Sequence, residues 1–250
     1  MSTKGNKSKE HYDKYPFNFM TAKDKMNIVD IQPESFRFFV KQYLKPGQKI
    51  ADVGCGPGRA ILFLVEQVLN VYGIDVSEKS LEIAKSHIER ATFICASNLS
   101  IPIPDSFFDV VISDGVIHHI PDPFLALSEN TRILRKNGYM YLSVYKRKGH
   151  YYYMYNYIGA LFRYIANNRF GQSLIECTLL PLYYGVHAMK TKGNRTWYGA
   201  RNLFYDYFFT PYASFYTKQD ICDQATKLGL DLISYSGALR NSHTFVFRKI

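Results

Sequence analysis

From Lys49 onward the sequence settles into an alternation that leaves few folds open. The short apolar runs Lys49–Val53, Val71–Ile74, Thr92–Ala96, Val110–Ser113 and Tyr139–Val144 read as strands. Between them, Arg59–Leu69, Glu78–Arg90 and Pro123–Leu134 carry apolar residues at helical spacing. Strands separated by helices of this length join as crossover units, which bury a parallel sheet between two helical layers. The spacing therefore predicts an α/β, doubly wound, mostly parallel sheet. The alternation stops at Lys146 and returns with a helix over Lys218–Leu228 and strands near Leu232–Ser236 and Thr244–Arg248.

Composition limits the rest. A chain of 250 residues that is 47% hydrophobic and 21% charged can bury a sizeable core and is not a disordered chain. Its net charge of +10 favours anionic partners without naming one. The four cysteines, Cys55, Cys95, Cys177 and Cys222, lie far apart, which argues against a zinc knuckle or a secreted disulfide framework; no metal is expected. No signal peptide is visible in the polar, basic start, and no apolar run reaches the roughly 18–20 residues a membrane span needs. The expectation is a cytoplasmic protein in a reducing compartment. Four regions follow: an arm and helix over residues 1–46, a core over 47–145, an insertion over 146–216, and a final helix and strands over 217–250. Met1–Lys25 reads as a loose basic arm. Pro33–Leu44 reads as a helix, with Phe36, Phe39, Val40, Tyr43 and Leu44 on its apolar side.

The sharpest motif is Asp52-Val-Gly54-Cys55-Gly56-Pro-Gly58, where a strand ends and a helix begins. Glycine permits positive φ and lets a ligand lie against bare main chain. The following helix turns its free N–H groups toward the loop, which suits an anionic group. Asp75 stands at the end of the second strand, where an acid can accept both hydroxyls of a ribose. Dinucleotide folds place a similar acid, but their glycines run G-x-G-x-x-G; here they run G-x-G-x-G.

With this loop, the stretch Tyr72-Gly-Ile-Asp75-Val76-Ser77, the long motif Ile103–Ile120 and Arg132–Gly138, the chain resembles the class I S-adenosylmethionine-dependent methyltransferases. It is most similar to the small-molecule branch that includes the ubiquinone and menaquinone biosynthesis enzymes. The resemblance covers Lys49–Tyr145 well, returns weakly over Lys218–Lys249, and says little about the insertion. It implies a Rossmann-like, seven-stranded sheet whose last strand is antiparallel, with a helical, aromatic-rich insertion after strand five. It implies S-adenosylmethionine as cofactor and S-adenosylhomocysteine as product. Asp52, Gly54, Cys55, Gly56 and Gly58 would hold the methionyl part, Asp75 and Val76 the ribose, and Asp114 with Gly115 the end near the sulfonium. Where the family often has an adenine-binding Asp, this chain has Ser97 followed by Asn98, which would substitute for it.

Related amine methylases use a His at the position matching His118, with an N-terminal Tyr; Tyr12 or Tyr15 would be that partner here. His118 and His119 are therefore both candidate bases, since His is the side chain most easily tuned to take a proton near neutral pH. The segment Tyr139–Tyr216 holds 16 of the 21 tyrosines and nine basic residues against two acids, so it carries +7 of the total charge. It reads as a lid over the acceptor, helical over Tyr151–Ala166 and otherwise loops and short helices. Tyr12, Tyr152, Arg201 and Asp206 are its candidate substrate contacts. Arg163, Arg195 and Arg201 are candidates to clamp a phosphate or carboxylate.

The leading expectation is a methyltransferase that places a methyl on O or N of a small molecule with an anionic or aromatic portion. An RNA-acting methyltransferase is the alternative, favoured by the basic, aromatic insertion. Against nucleic acid stands Ser113-Asp-Gly-Val116, where base-amino methylases carry an N-P-P-Y-type tetrapeptide. A non-catalytic partner protein that keeps the cofactor site is a third reading, and a membrane-surface contact through the insertion a fourth. Oligomeric state is not legible in the sequence.

Overall fold

The computed structural model describes residues 3–16, 32–67, 70–190, 196–237 and 241–250. Seven strands form one sheet: β1 (Lys49–Val53), β2 (Asn70–Asp75), β3 (Ala91–Cys95), β4 (Phe108–Asp114), β5 (Leu134–Tyr145), β6 (Leu230–Ser236) and β7 (Ser242–Lys249). Their spatial order is β3-β2-β1-β4-β5-β7-β6. The first five run parallel, and β7 lies antiparallel between β5 and β6. This is the predicted doubly wound, Rossmann-like sheet with an antiparallel last strand.

The helices are α1 (Thr3–Lys14), α2 (Glu34–Tyr43), α3 (Arg59–Val65), α4 (Glu78–Lys85), α5 (Pro123–Ile133), α6 (150–165), α7 (169–190), α8 (Trp197–Phe209) and α9 (Lys218–Lys227). Period-two alternation in the strands feeds two cores. Val110 and Ile112 of β4 face the layer formed with α2 and α3, together with Phe36, Phe39 and Ile61. Phe108 and Val111 face the opposite layer, with Ala126, Leu127 and Ile221 of α5 and α9. Central β4 is buried on both faces from Phe108 to Ser113, so its apolar residues Val110, Val111 and Ile112 follow one another without alternation. A third core lies within the insertion, built on Ile175, Leu180, Phe204 and Phe208.

Two expectations are corrected. The N-terminal arm is not loose over its first half: Thr3–Lys14 is a helix fixed by distant partners rather than by its own weakly apolar sequence. Its fastenings are Lys9 to Glu78 (3.1 Å), Ser77 Oγ donating to Asp13 (2.7 Å), and the Tyr15 ring stacked on Tyr205 (4.2 Å). The insertion is not mainly loops beyond Ala166, since α7 and α8 are long helices. Pro181 hides α7 from sequence reading, because proline removes an interior hydrogen bond. A π turn over Ile175–Leu179 precedes it. There the Leu180 N–H donates to the Ile175 carbonyl, five residues back. Strand β5 also begins earlier than predicted, because Leu134 pairs with Phe108 across a register shift. Arg195, the expected end of the third helix at Leu69, and the second half of the arm lie outside the described residues.

Candidate active site

Strands β2, β1 and β4 end side by side, and the chain leaves each of them in a tight turn. Ligands in open α/β sheets bind at this C-terminal edge, where the winding reverses. A cavity of about 410 Å³ lies there. Asp52, Gly54, Cys55, Gly56, Asp75, Val76, Ser97, Asn98, Asp114 and Gly115 all line it. Gly58 does not; it caps α3 in the left-handed conformation, aiming the helix at the loop.

The loop is held by the acid beyond it. Asp75 accepts N–H bonds from Gly56 and Ser77, each 2.8 Å, so each of its oxygens keeps a lone pair. Burial raises its carboxyl above the usual range, and those two bonds pull it back. Asp52 sits deeper, and burial together with the neighbouring Asp114 charge pushes it up to about 7. Arg59, first residue of α3, pairs with Asp114 at 2.7 Å. A cation brought beside Asp52 would draw out its ionised form.

Two observations test whether a nucleoside–amino-acid cofactor suits these residues. A Cβ built on Gly56 or Gly115 meets nothing within 4 Å, so the main chain at both is bare toward the cavity they line. The Asn98 amide is buried with neither polar atom hydrogen-bonded, although Asn98 lines the same cavity. A buried amide without partners is costly, and its donor–acceptor edge matches that of a nucleobase. Both observations fit S-adenosylmethionine.

The same cavity is lined as well by Ser8 and Tyr12 of α1, His119, Ile120, Pro121 and Tyr145. His119 Nδ1 lies 2.8 Å from the Tyr212 carbonyl, which only accepts, so Nδ1 carries the hydrogen. Nε2 is then the basic nitrogen, 3.3 Å from the Tyr145 hydroxyl. Burial pushes His119 down to about 4 and keeps it neutral at neutral pH. The Tyr12 hydroxyl donates to Asp206 at 3.3 Å. Burial pushes Asp206 up to about 7, offset by that bond.

Of the two candidate histidines, His119 lines the cavity and His118 does not. His118 is fully buried, its ring packed on Tyr145 at 3.6 Å between centroids. Of the two tyrosines, Tyr12 reaches the cavity, whereas Tyr15 is buried in its stack with Tyr205. Tyr152 packs against Phe215, and Arg201 lies over Tyr15 and Tyr205 with Glu176 at 3.5 Å, so neither meets the cavity. Arg163 donates to the carbonyls of Phe208 and Tyr155 and serves the insertion itself. Asp206 stands behind Tyr12. Sequence reading missed Arg59 and Tyr145; the second was findable, since Tyr145 ends β5 at the same sheet edge. The described cysteines are all unpaired, and no metal-binding cluster occurs among the described residues.

The sheet order and the bare loop define a class, the Rossmann-like α/β domains with a ligand cavity at the strand ends. Residues 51–142 match the family described as a methyltransferase domain. The chain is 34% identical over 103 residues to a ubiquinone/menaquinone biosynthesis C-methyltransferase of Campylobacter jejuni, covering 38% of this chain and 44% of that one. It is 30% identical over 138 residues to a Bos taurus protein named "Probable tRNA methyltransferase 9B", covering 49% and 30%. The chain thus spans less than half the length of each of these relatives. In structure it is similar to the magnesium protoporphyrin IX methyltransferase of Synechocystis PCC 6803, solved with bound S-adenosylhomocysteine. The TM-score is 0.57 at 16% identity, over 91% of this chain and 84% of that one.

Proposed function

We propose that the protein methylates O or N of a small, neutral, aromatic-compatible acceptor. The observation that carries this is the shared cavity: the loop residues and Asp75 line it together with Tyr12, His119 and Tyr145. When bound, S-adenosylmethionine supplies a methyl on a sulfonium, an activated carbon that needs an aligned nucleophile and little else. Gly54, Gly56, Asp75 and Asn98 would hold it. The chain's remaining work is to place the acceptor, exclude water and manage one proton.

His119 Nε2 is placed for that proton. It is unprotonated at neutral pH and faces the cavity, and its tautomer is fixed by the Tyr212 carbonyl. Its depressed basicity makes it a group that accepts a hydrogen bond from a hydroxyl or amine and takes the proton as the new bond forms, rather than beforehand. Tyr12 and Tyr145 offer ring faces and hydroxyls for a flat acceptor. An anionic portion on the acceptor is disfavoured, because the one cation among the described lining residues, Arg59, is engaged by Asp114.

A second reading, methylation of tRNA, is favoured by the name of the Bos taurus relative and by the +7 segment. Incubation with radiolabelled S-adenosylmethionine, a panel of small phenols and amines, and a tRNA transcript separates the two. Label in a small molecule supports the proposal. Label confined to tRNA replaces it, and S-adenosylhomocysteine binding without label in anything indicates a non-catalytic partner.

A further inference from the structure

The insertion buries one side of its helices and leaves the other side apolar. In α6, Phe162, Ile165 and Met154 pack into the insertion core, while Tyr157, Leu161 and Tyr164 lie on the opposite side. In α7, Ile175 and Leu180 are buried, while Phe170, Leu182 and Met189 face out. These six large side chains are between 55% and 81% exposed. The π turn at Ile175–Leu179 adds a residue to α7, which keeps Leu182 in line with Leu174 at a spacing of eight rather than seven. The exposed stripe thus continues across the break. Apolar area on this scale, gathered on successive helices, marks a contact surface rather than chance exposure.

What covers it is decided by charge. The segment Tyr139–Tyr216 is +7, and its two acids are engaged: Asp206 is buried, and Glu176 holds Arg201 and Tyr205. A second copy would bring the same positive charge against itself. A nucleic acid would need cations on the contact face, whereas these stripes offer aromatic and aliphatic groups. An anionic lipid surface satisfies both halves, taking Tyr, Phe and Leu at its interface and attracting the flanking Lys148, Arg169 and Lys190. No helix among the described residues is long and apolar enough to cross a membrane, so the contact lies along the surface. We infer that the outer face of α6 and α7 docks on an anionic membrane, an activity of the insertion separate from the methyl-transfer reading.

The test is co-sedimentation of the intact protein with vesicles of phosphatidylcholine alone or with about one-third phosphatidylglycerol, with S-adenosylhomocysteine affinity measured on the same samples. Pelleting with the anionic vesicles is expected, with much weaker pelleting on neutral ones. The triple variant Tyr164→Ser, Phe170→Ser, Leu182→Ser should lose at least tenfold in vesicle affinity at unchanged melting temperature and unchanged nucleoside binding. Arg169→Glu with Lys190→Glu should abolish the preference for anionic lipid while leaving the fold intact. Protein that stays in the supernatant at every lipid composition overturns the inference. So does a concentration-dependent dimer that the triple variant dissolves, which would assign the face to a second copy. Loss of nucleoside binding in the parent protein would sink the methyltransferase reading and leave the vesicle result standing.

Discussion

Two glycines two residues apart should fail in different ways when given a methyl group. At Gly54 φ is +80°, and an added Cβ would sit 2.3 Å from Val116 Cγ1 and 2.5 Å from Cγ2. The left-handed backbone costs an alanine about 1–2 kcal/mol, and forcing a methyl into a packed site costs roughly 1–3 kcal/mol more. Gly54→Ala should therefore lose roughly 2–5 kcal/mol, which for a chain of this size is roughly 4–20 °C in melting temperature. At Gly56 φ is +53° and the added Cβ meets nothing. Gly56→Ala should lose only the backbone part, about 1–2 kcal/mol or roughly 2–8 °C. Its methyl, however, projects where a ligand would lie. S-adenosylhomocysteine affinity by calorimetry should fall at least about tenfold, equivalent to about 1.4 kcal/mol. If Gly56→Ala binds the nucleoside as tightly as the parent while melting as low as Gly54→Ala, the loop is a structural turn and the cofactor cradle is wrongly placed.

Other outcomes can be checked on the same preparations. His119→Ala should reduce turnover by about 10²-fold or more with nucleoside affinity unchanged, and His118→Ala should chiefly lower the melting temperature; an undiminished rate in the first removes His119 from the chemistry. Asn98→Ala should weaken S-adenosylhomocysteine by about tenfold yet raise the melting temperature of the free protein, because a buried amide without partners is removed; equal effects on both would show the amide to be structural. Asp206, raised to about 7 in the fold, binds a proton that the unfolded chain has released, so its contribution is full below about pH 4 and lost as pH rises toward 7. The melting temperature of Asp206→Asn relative to the parent should accordingly climb across that window and level above it, and a flat difference between them would show that Asp206 is ionised throughout.

The core was legible because its signals are local and redundant. Asp52, the three glycines and Asp75 sit where the strand ends place them, and strand β1 begins and ends as its apolar run does. The family match over residues 51–142 covers the same stretch. The acceptor end was read less well, because it is assembled from residues far apart in the chain. Tyr12 meets Asp206 across 194 positions, and nothing in either neighbourhood marks the pairing. His118 and His119 are adjacent in sequence and indistinguishable there; a single turn of 3-10 helix over Ile117–His119 sends one ring behind Tyr145 and the other to the cavity. The long helices of the insertion were obscured by aromatic residues and Pro181, whose local preferences are overridden by packing on Phe204 and Phe208.

The fastening of α1 sets a rule for traffic. Lys9 and Asp13 of that helix are tied to Glu78 and Ser77, just past Asp75, while Tyr12 and, one residue beyond the helix, Tyr15 are tied to Asp206 and Tyr205 on the insertion. It works as a hasp across two doors: letting go of one half means letting go of the other. Displacing the helix would therefore free the β2 side of the cavity and the insertion side in one movement rather than one at a time.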